Sequence, residues 1–308
     1  MLKVTNLTKS YGSLEVLKGI SFEIKRGKVY GFLGQNGAGK TTTMNILTGL
    51  IDFNGGDIVY EDKDFKNDKR QILKKVGYLP QNPVFYGYMT GNEYLNFIGT
   101  LTNMSLPDIK KRTNELLEVV GLKDAGKRRL SGYSGGMKQR FGFAVSLFNK
   151  PELLFLDEPT SALDPEGRME ILDFINDLKN QGVTVFLSTH ILNDIERVCD
   201  EVSIIKDGKI IVSAGLEELK NNYIQPIYDL EFENDCTKFK NILTNLNWVE
   251  DLQLNKNKLS VHVKNISLAR SELLKLLVVE SNPLMVFNLR KSTLEEIFLR
   301  LVNKDVLI

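Results

Sequence analysis

A short apolar run at 29–32, VYGF, leads into Gly34-Gln35-Asn36-Gly37-Ala38-Gly39-Lys40-Thr41 and then into a helix-like stretch, 42–47. This is G-x-x-x-x-G-K-[ST] in its required context of strand, loop and helix. The pattern constrains the fold, because a buried strand has to deliver the loop to a sheet edge where the helix start faces an anion. The glycines let backbone N–H groups turn inward on a β-phosphate, and Lys40 neutralises charge on the β and γ oxygens. The Thr41 hydroxyl suits Mg²⁺, and Thr42 continues the binding loop into the helix. A nucleoside triphosphate is the expected ligand.

Length and composition bound the rest. A chain of 308 residues allows two domains, each large enough for its own core. The 42% hydrophobic and 26% charged content is that of a soluble globular protein. A formal charge of +1 argues against a basic nucleic-acid face, so no nucleic-acid partner is expected. The two cysteines, Cys199 and Cys236, lack metal-ligand spacing, and a reduced, cytoplasmic compartment is expected. The opening MLKVTNLTKSYG lacks the apolar core of a signal peptide, and no apolar run approaches the about 20 residues of a membrane helix.

Strand-like and helix-like stretches alternate through the first two thirds, the pattern of an α/β domain with a largely parallel sheet. Runs at 29–32, 153–156 and 183–187 read as buried strands. Residues 91–122 read as a helical stretch whose apolar positions include Leu95, Ile98, Leu101, Ile109, Leu116 and Val119. The charged run at 61–70 reads as a solvated face, and 202–212 as a hairpin turned by Asp207-Gly208. A boundary near 214–226 divides the chain into expected domains at 1–215 and 216–308. The second reads as strand, helix, strand, strand, helix, strand, then a last helix at 292–302. That is a small α+β domain of ferredoxin-like βαββαβ order.

Four further stretches carry chemistry. Residues 153–159, LLFLDEP, end an apolar strand in Asp157 and Glu158. Consecutive side chains at a strand end point apart, so Asp157 suits a Mg²⁺ shell and Glu158 is left to act on water as a general base. Ser188-Thr-His190 follows another apolar strand, at the sheet edge where ligands bind. His262 lies in a plain alternating strand and reads as structural. Residues 133–140, YSGGMKQR, place Ser134 to cap a helix while Gly135 and Gly136 leave N–H groups bare, a second anion-binding helix start. Gln81 sits in a proline-bounded loop, and Tyr11, which could stack on a base, read alone fits a core position better.

In order and spacing, Tyr11, 34–41, Gln81, 133–136, Asp157-Glu158, Ser161 to Asp164 and His190 resemble the nucleotide-binding subunit of ABC transporters. The resemblance covers roughly residues 1–215, and it implies a P-loop NTPase domain with a helical subdomain. It implies that Tyr11 stacks on adenine, that Gln81 reaches Mg²⁺ and the attacking water, and that His190 contacts the γ-phosphate. Asp164 would lie in the loop joining two ATP sites. It also implies a head-to-tail dimer in which Ser134, Gly135 and Gly136 close over the partner's ATP, with a second copy of the chain as the expected partner. Two departures stand out: Tyr133 replaces the usual leucine and Met137 the usual glutamine. Residues 78–95 and the tail 291–302 resemble the subgroup that pairs with exporter-type permeases, often for drugs, antibiotics or lipids. The implied role is a peripheral ATPase on the inner face of the cell membrane, driving a separate transmembrane permease. Importer subunits, soluble non-transport ABC proteins and nucleotide sensors without turnover are the alternatives.

Overall fold

The computed structural model describes residues 1–102, 104–161, 163–223 and 226–291. The chain divides into two compact units, Met1–Leu216 and Glu217–Ile308. The first unit opens with three strands, β1 (Leu2–Tyr11), β2 (Leu14–Ile24) and β3 (Val29–Leu33), followed by helix α1 (Lys40–Leu47). Next come β4 (Gly55–Tyr60), β5 (Lys63–Asp64), α2 (Phe65–Leu73) and β6 (Val76–Leu79). Three helices follow, α3 (Gly91–Thr100), α4 (Leu106–Val119) and α5 (Gly135–Ser146). The unit closes with β7 (Leu153–Asp157), α6 (Pro165–Asn180), β8 (Thr184–Thr189), α7 (Leu192–Val198), β9 (Glu201–Lys206) and β10 (Lys209–Gly215). Helix α8 (Leu216–Tyr223) comes next along the chain.

Two sheets organise this unit. One has the order β10-β9-β3-β8-β7-β6, parallel except for the β9–β10 hairpin. Its inner strands β3, β7 and β8 are buried at every position, as parallel strands covered on both faces must be. Asp207 and Gly208 turn the hairpin with φ of 48° and 79°, the double left-handed geometry of a two-residue turn. The second sheet, β2-β1-β4-β5, is antiparallel and departs from the expectation of one largely parallel sheet. The sheets share a core: Phe22 of β2 lies 5.5 Å from Phe32 and 5.7 Å from Phe186, ring centre to ring centre. Met44, Ile46 and Leu47 of α1 join the same core, which fixes the loop before α1 against both sheets.

Two expectations are refined. The stretch 91–122 is two helices, because Ser105 caps a new start and Pro107 occupies its first turn. Leu101 and Val119 lie outside the buried face, at 71% and 56% exposure. The charged run at 61–70 is not simply a solvated face either, since Phe65 and Ile72 bury one side of α2.

In the second unit the elements are β11 (Pro226–Phe232), α9 (Thr237–Thr244), β12 (Val249–Asn255), β13 (Lys258–Val263), α10 (Ile266–Val279) and β14 (Leu284–Lys291). Its sheet is antiparallel throughout, in the order β12-β13-β11-β14. With helices after the first and third strands, this is the ferredoxin-like arrangement. Tyr228, Leu230 and Phe232 alternate along β11 onto a core shared with Phe239, Leu243 and Leu273 of the helices. The last helix expected at 292–302 lies outside the described residues.

Candidate active site

Two glycines of the loop between β3 and α1 sit where close contacts leave no room for a side chain. A Cβ on Gly34 would stand 2.6 Å from the Ile205 carbonyl oxygen. Gly39 has φ of 110°, and a Cβ there would meet Leu17 at 2.7 Å. No side chain caps α1, so its first-turn N–H groups are left to face a ligand. Lys40 is buried; its ammonium donates to the carbonyls of Gly34 at 2.8 Å and Gln35 at 3.2 Å. Ala38 is buried beneath, its N–H donating to Gln35 O at 3.2 Å.

A pocket of 410 Å³ opens here, lined by Val16, Asn36, Gly37, Gly39, Lys40, Thr41, Thr42, Gln81 and Glu158. Gln81 arrives from the loop after β6 and Glu158 from the end of β7, about 40 and about 120 residues along the chain from Lys40.

The two adjacent carboxylates have separate partners. Asp157 ends β7 and accepts from the Ser188 hydroxyl on β8. Burial raises its pKa above the ordinary carboxylate value, while the Ser188 and nearby Thr41 hydroxyls pull the other way. Its Oδ2 is buried without a hydrogen-bond partner. Burial, with the charge of Asp157 behind it, pushes the Tyr78 phenol up to about 12. Glu158, one residue on, takes φ of 50°, left-handed and uncommon for a residue with a side chain. Its N–H donates to Ser188 O at 3.0 Å. Its Oε1 lies 3.3 Å from the Lys40 ammonium and its Oε2 2.8 Å from Nδ1 of a half-exposed His190.

The unpartnered Asp157 oxygen tests whether the site suits Mg²⁺. An oxygen-only set of Asp157, the Thr41 hydroxyl and the Gln81 side chain fits a hard cation that draws its other ligands from phosphate and water. No cluster of three or more His, Cys, Asp or Glu residues suited to a metal occurs among the described residues.

Other expected residues lie outside this pocket. Tyr11 ends β1 half exposed, with the Lys9 ammonium 5.0 Å from its ring centre, so the core reading of Tyr11 fails. Ser134 caps α5, its hydroxyl accepting from Met137 N at 3.2 Å, and Gly135 has open space around it. A Cβ on Gly136 would meet Leu163 at 3.4 Å. Asp164 caps α6 through Gly167 N at 3.1 Å. Tyr133, in place of leucine, is buried with its hydroxyl donating to Ala125 O at 2.9 Å and its ring edge-on to Phe141. Sequence reasoning passed over Gln139, Thr160 and Asp194, polar side chains that are fully buried around the Glu158 loop. Their rarity signal, burial, is not visible in a sequence.

Comparison with known proteins places this geometry. The family described as "ABC transporter" matches residues 17–161, and the family "ATP-binding protein DrrA1-3-like, C-terminal domain" matches residues 215–302. The bacitracin transport ATP-binding protein BcrA of Bacillus licheniformis is 35% identical over 98% of this chain and 97% of its own length. The chain belongs to the ABC transporter ATP-binding proteins. The lantibiotic transport ATP-binding protein SrtF of Streptococcus pyogenes is 41% identical over 73% of this chain and 97% of its own. Among solved structures, the dimeric post-hydrolysis state of the ATP-binding cassette MJ0796, bound to ADP and phosphate, superposes with a TM-score of 0.65. It is 26% identical and covers 70% of this chain and 99% of that one. As an ABC transporter ATP-binding protein, this chain is a nucleotide-binding ATPase built on a P-loop NTPase fold. No helix among its described residues is long and apolar enough to cross a membrane.

Proposed function

We propose that this ATPase binds Mg²⁺-ATP at the Lys40 pocket, hydrolyses it with Glu158 as general base, and drives a separate transmembrane permease that exports an antibiotic or a similar compound. The observation that carries the reading is the convergence of Lys40, Thr41, Gln81 and Glu158 on one pocket, with a partnerless Asp157 oxygen beside it. Residues 34–42 cradle the phosphates through backbone N–H groups, Lys40 offsets their charge, and Tyr11 stacks on adenine. Thr41, Asp157 and Gln81 hold Mg²⁺, which when bound neutralises charge on the phosphate oxygens. Glu158 accepts the proton of water, with His190 orienting the carboxylate through their hydrogen bond and reaching toward the γ-phosphate.

Ser134 and Gly135 are exposed, Gly136 is half-buried, and all three lie outside that pocket, so their N–H groups serve ATP held by a second copy of the chain, with Asp164 at the junction. MJ0796 as a dimer supports this arrangement. Val84, Tyr86 and Tyr88 follow Gln81 and are exposed at 88%, 53% and 72%, an apolar surface suited to a permease partner. The names of BcrA and SrtF, a bacitracin and a lantibiotic transport ATP-binding protein, support antibiotic export, and beside its permease the chain sits peripherally on the cytoplasmic face of the membrane.

Glu158→Gln tests the reading. The amide preserves shape and cannot accept the proton, so Mg²⁺-ATP binding persists, turnover is nearly lost, and the ATP-bound dimer outlives that of the wild type on size exclusion. A variant that hydrolyses ATP normally contradicts the assignment.

A further inference from the structure

We infer that Gln139, Thr160 and Asp194 are positioning residues for Glu158: they clamp the two residues that follow it and tie its pose to the helix that begins at Ser134. The inference rests on the role of Glu158 proposed above.

Glu158 sits at φ of 50°, a conformation that persists only where the surroundings enforce it. Ser188 accepts from the Glu158 N–H and Ser161 donates to the Glu158 carbonyl, and the next two residues are held as well. The Pro159 carbonyl accepts from Gln139 Nε2 at 3.0 Å. The Thr160 hydroxyl donates to Asp194 Oδ2 at 2.5 Å, and Asp194 Oδ1 accepts from Arg168 Nε at 2.6 Å. Gln139, Thr160 and Asp194 are each no more than 2% exposed. In such surroundings a polar group that loses its partner is not rescued by water, so these bonds hold their geometry strictly.

The elements that supply the clamp give it a second meaning. Gln139 lies on α5, whose first residues are Gly135 and Gly136. Asp194 lies in the first turn of α7, four residues after His190, which itself holds the Glu158 carboxylate. Arg168 lies on α6 one turn beyond the Asp164 cap. A displacement of α5 therefore has to carry the Pro159 carbonyl with it or break a buried bond, one peptide away from Glu158. Occupancy at the Ser134 end is in this way felt at the chain's own base. None of the three residues lines the Lys40 pocket, so they act through Glu158 and not on nucleotide.

Thr160→Val removes the hydroxyl at nearly constant shape, and Gln139→Met removes the amide donor at constant length. Each is expected to lower kcat about 10- to 100-fold with little change in KM, the size of effect that follows misplacement of a reacting group. ATP affinity by titration calorimetry stays within about twofold of wild type. Thr160→Ser, which keeps the hydroxyl, restores kcat. In a Glu158→Gln background, Thr160→Val costs nothing further in the single-turnover rate, because both changes disable one unit. A readout without nucleotide is also at hand, since the chain has two histidines, His190 and His262. In the free protein both variants shift the imidazole resonance of His190, bonded to Glu158, and leave that of His262 in place. All assays run below the thermal unfolding midpoint of each variant.

Unchanged kcat in both variants, a full loss repeated in the Glu158→Gln background, or an unmoved His190 resonance would each overturn the inference. Normal hydrolysis by Glu158→Gln alone would instead remove the base assignment. The His190 resonance would then still report whether the clamp sets the pose of Glu158.

Discussion

The starts of α1 and α5 both offer glycines and backbone N–H groups to an anion, yet their surroundings differ. At α1 the loop is wedged between two sheets, Gly39 takes φ of 110°, and no side chain caps the helix. A buried lysine, a glutamate and a glutamine share its pocket. At α5 the cap is an ordinary serine, Gly135 faces open space, and Lys40, Gln81 and Glu158 lie in a pocket that Ser134 does not line. One start has the cation, the base and the concavity that phosphate chemistry needs; the other has only N–H groups and a helix dipole. A site and a half-site of the same chemistry in one chain make sense together when a second copy completes each.

That contrast can be broken by substitution. Ser134→Arg has the largest expected effect: turnover is lost, because a long cation blocks closure, while single-chain ATP affinity in calorimetry is unchanged. Equal loss of affinity would mean that α5 belongs to the chain's own pocket. Lys40→Ala does the reverse and weakens ATP binding itself. Charge-assisted hydrogen bonds contribute about 1.5–3 kcal/mol, so affinity falls roughly 10- to 100-fold. Unchanged affinity would put the phosphates elsewhere. A pair of glycine variants sharpens the comparison further. Gly39→Ala forces a Cβ into a left-handed residue against Leu17 and lowers unfolding stability by roughly 1–3 kcal/mol. Gly135→Ala meets nothing, so stability stays within about 0.5 kcal/mol while turnover drops, which denaturant melts beside ATPase assays would resolve.

The same contrast marks what a sequence can disclose. The strands β3, β7 and β8 stood out as unbroken apolar runs, because a parallel strand is covered on both faces. The antiparallel sheet did not stand out. In β1 the buried positions Leu2, Val4 and Leu7 break their alternation at Asn6, whose φ of 50° marks a bulge in the pairing with β2. Helices α3 and α4 merged into one reading because both bury apolar residues at similar spacing, and the Ser105 and Pro107 start between them went unweighed. In the second unit Tyr228, Leu230 and Phe232 of β11 fall on one covered face, and the βαββαβ order could be read from the succession of strand-like and helix-like stretches. At the site, Lys40, Asp157 and Glu158 were legible because their chemistry comes in contiguous motifs. Gln139 and Asp194 were not, for their meaning lies in partners 20 and 34 residues away.

The central claim is that Ser134 of one chain faces the nucleotide held near Lys40 of another. The direct measurement is a thiol crosslink between chains carrying Asn36→Cys and chains carrying Ser134→Cys, in a background lacking Cys199 and Cys236, both buried. The account predicts a crosslinked pair that forms between the two kinds of chain, with Mg²⁺-ATP and not without nucleotide. Crosslinking that ignores nucleotide, or that forms within a single dilute chain carrying both cysteines, would contradict it.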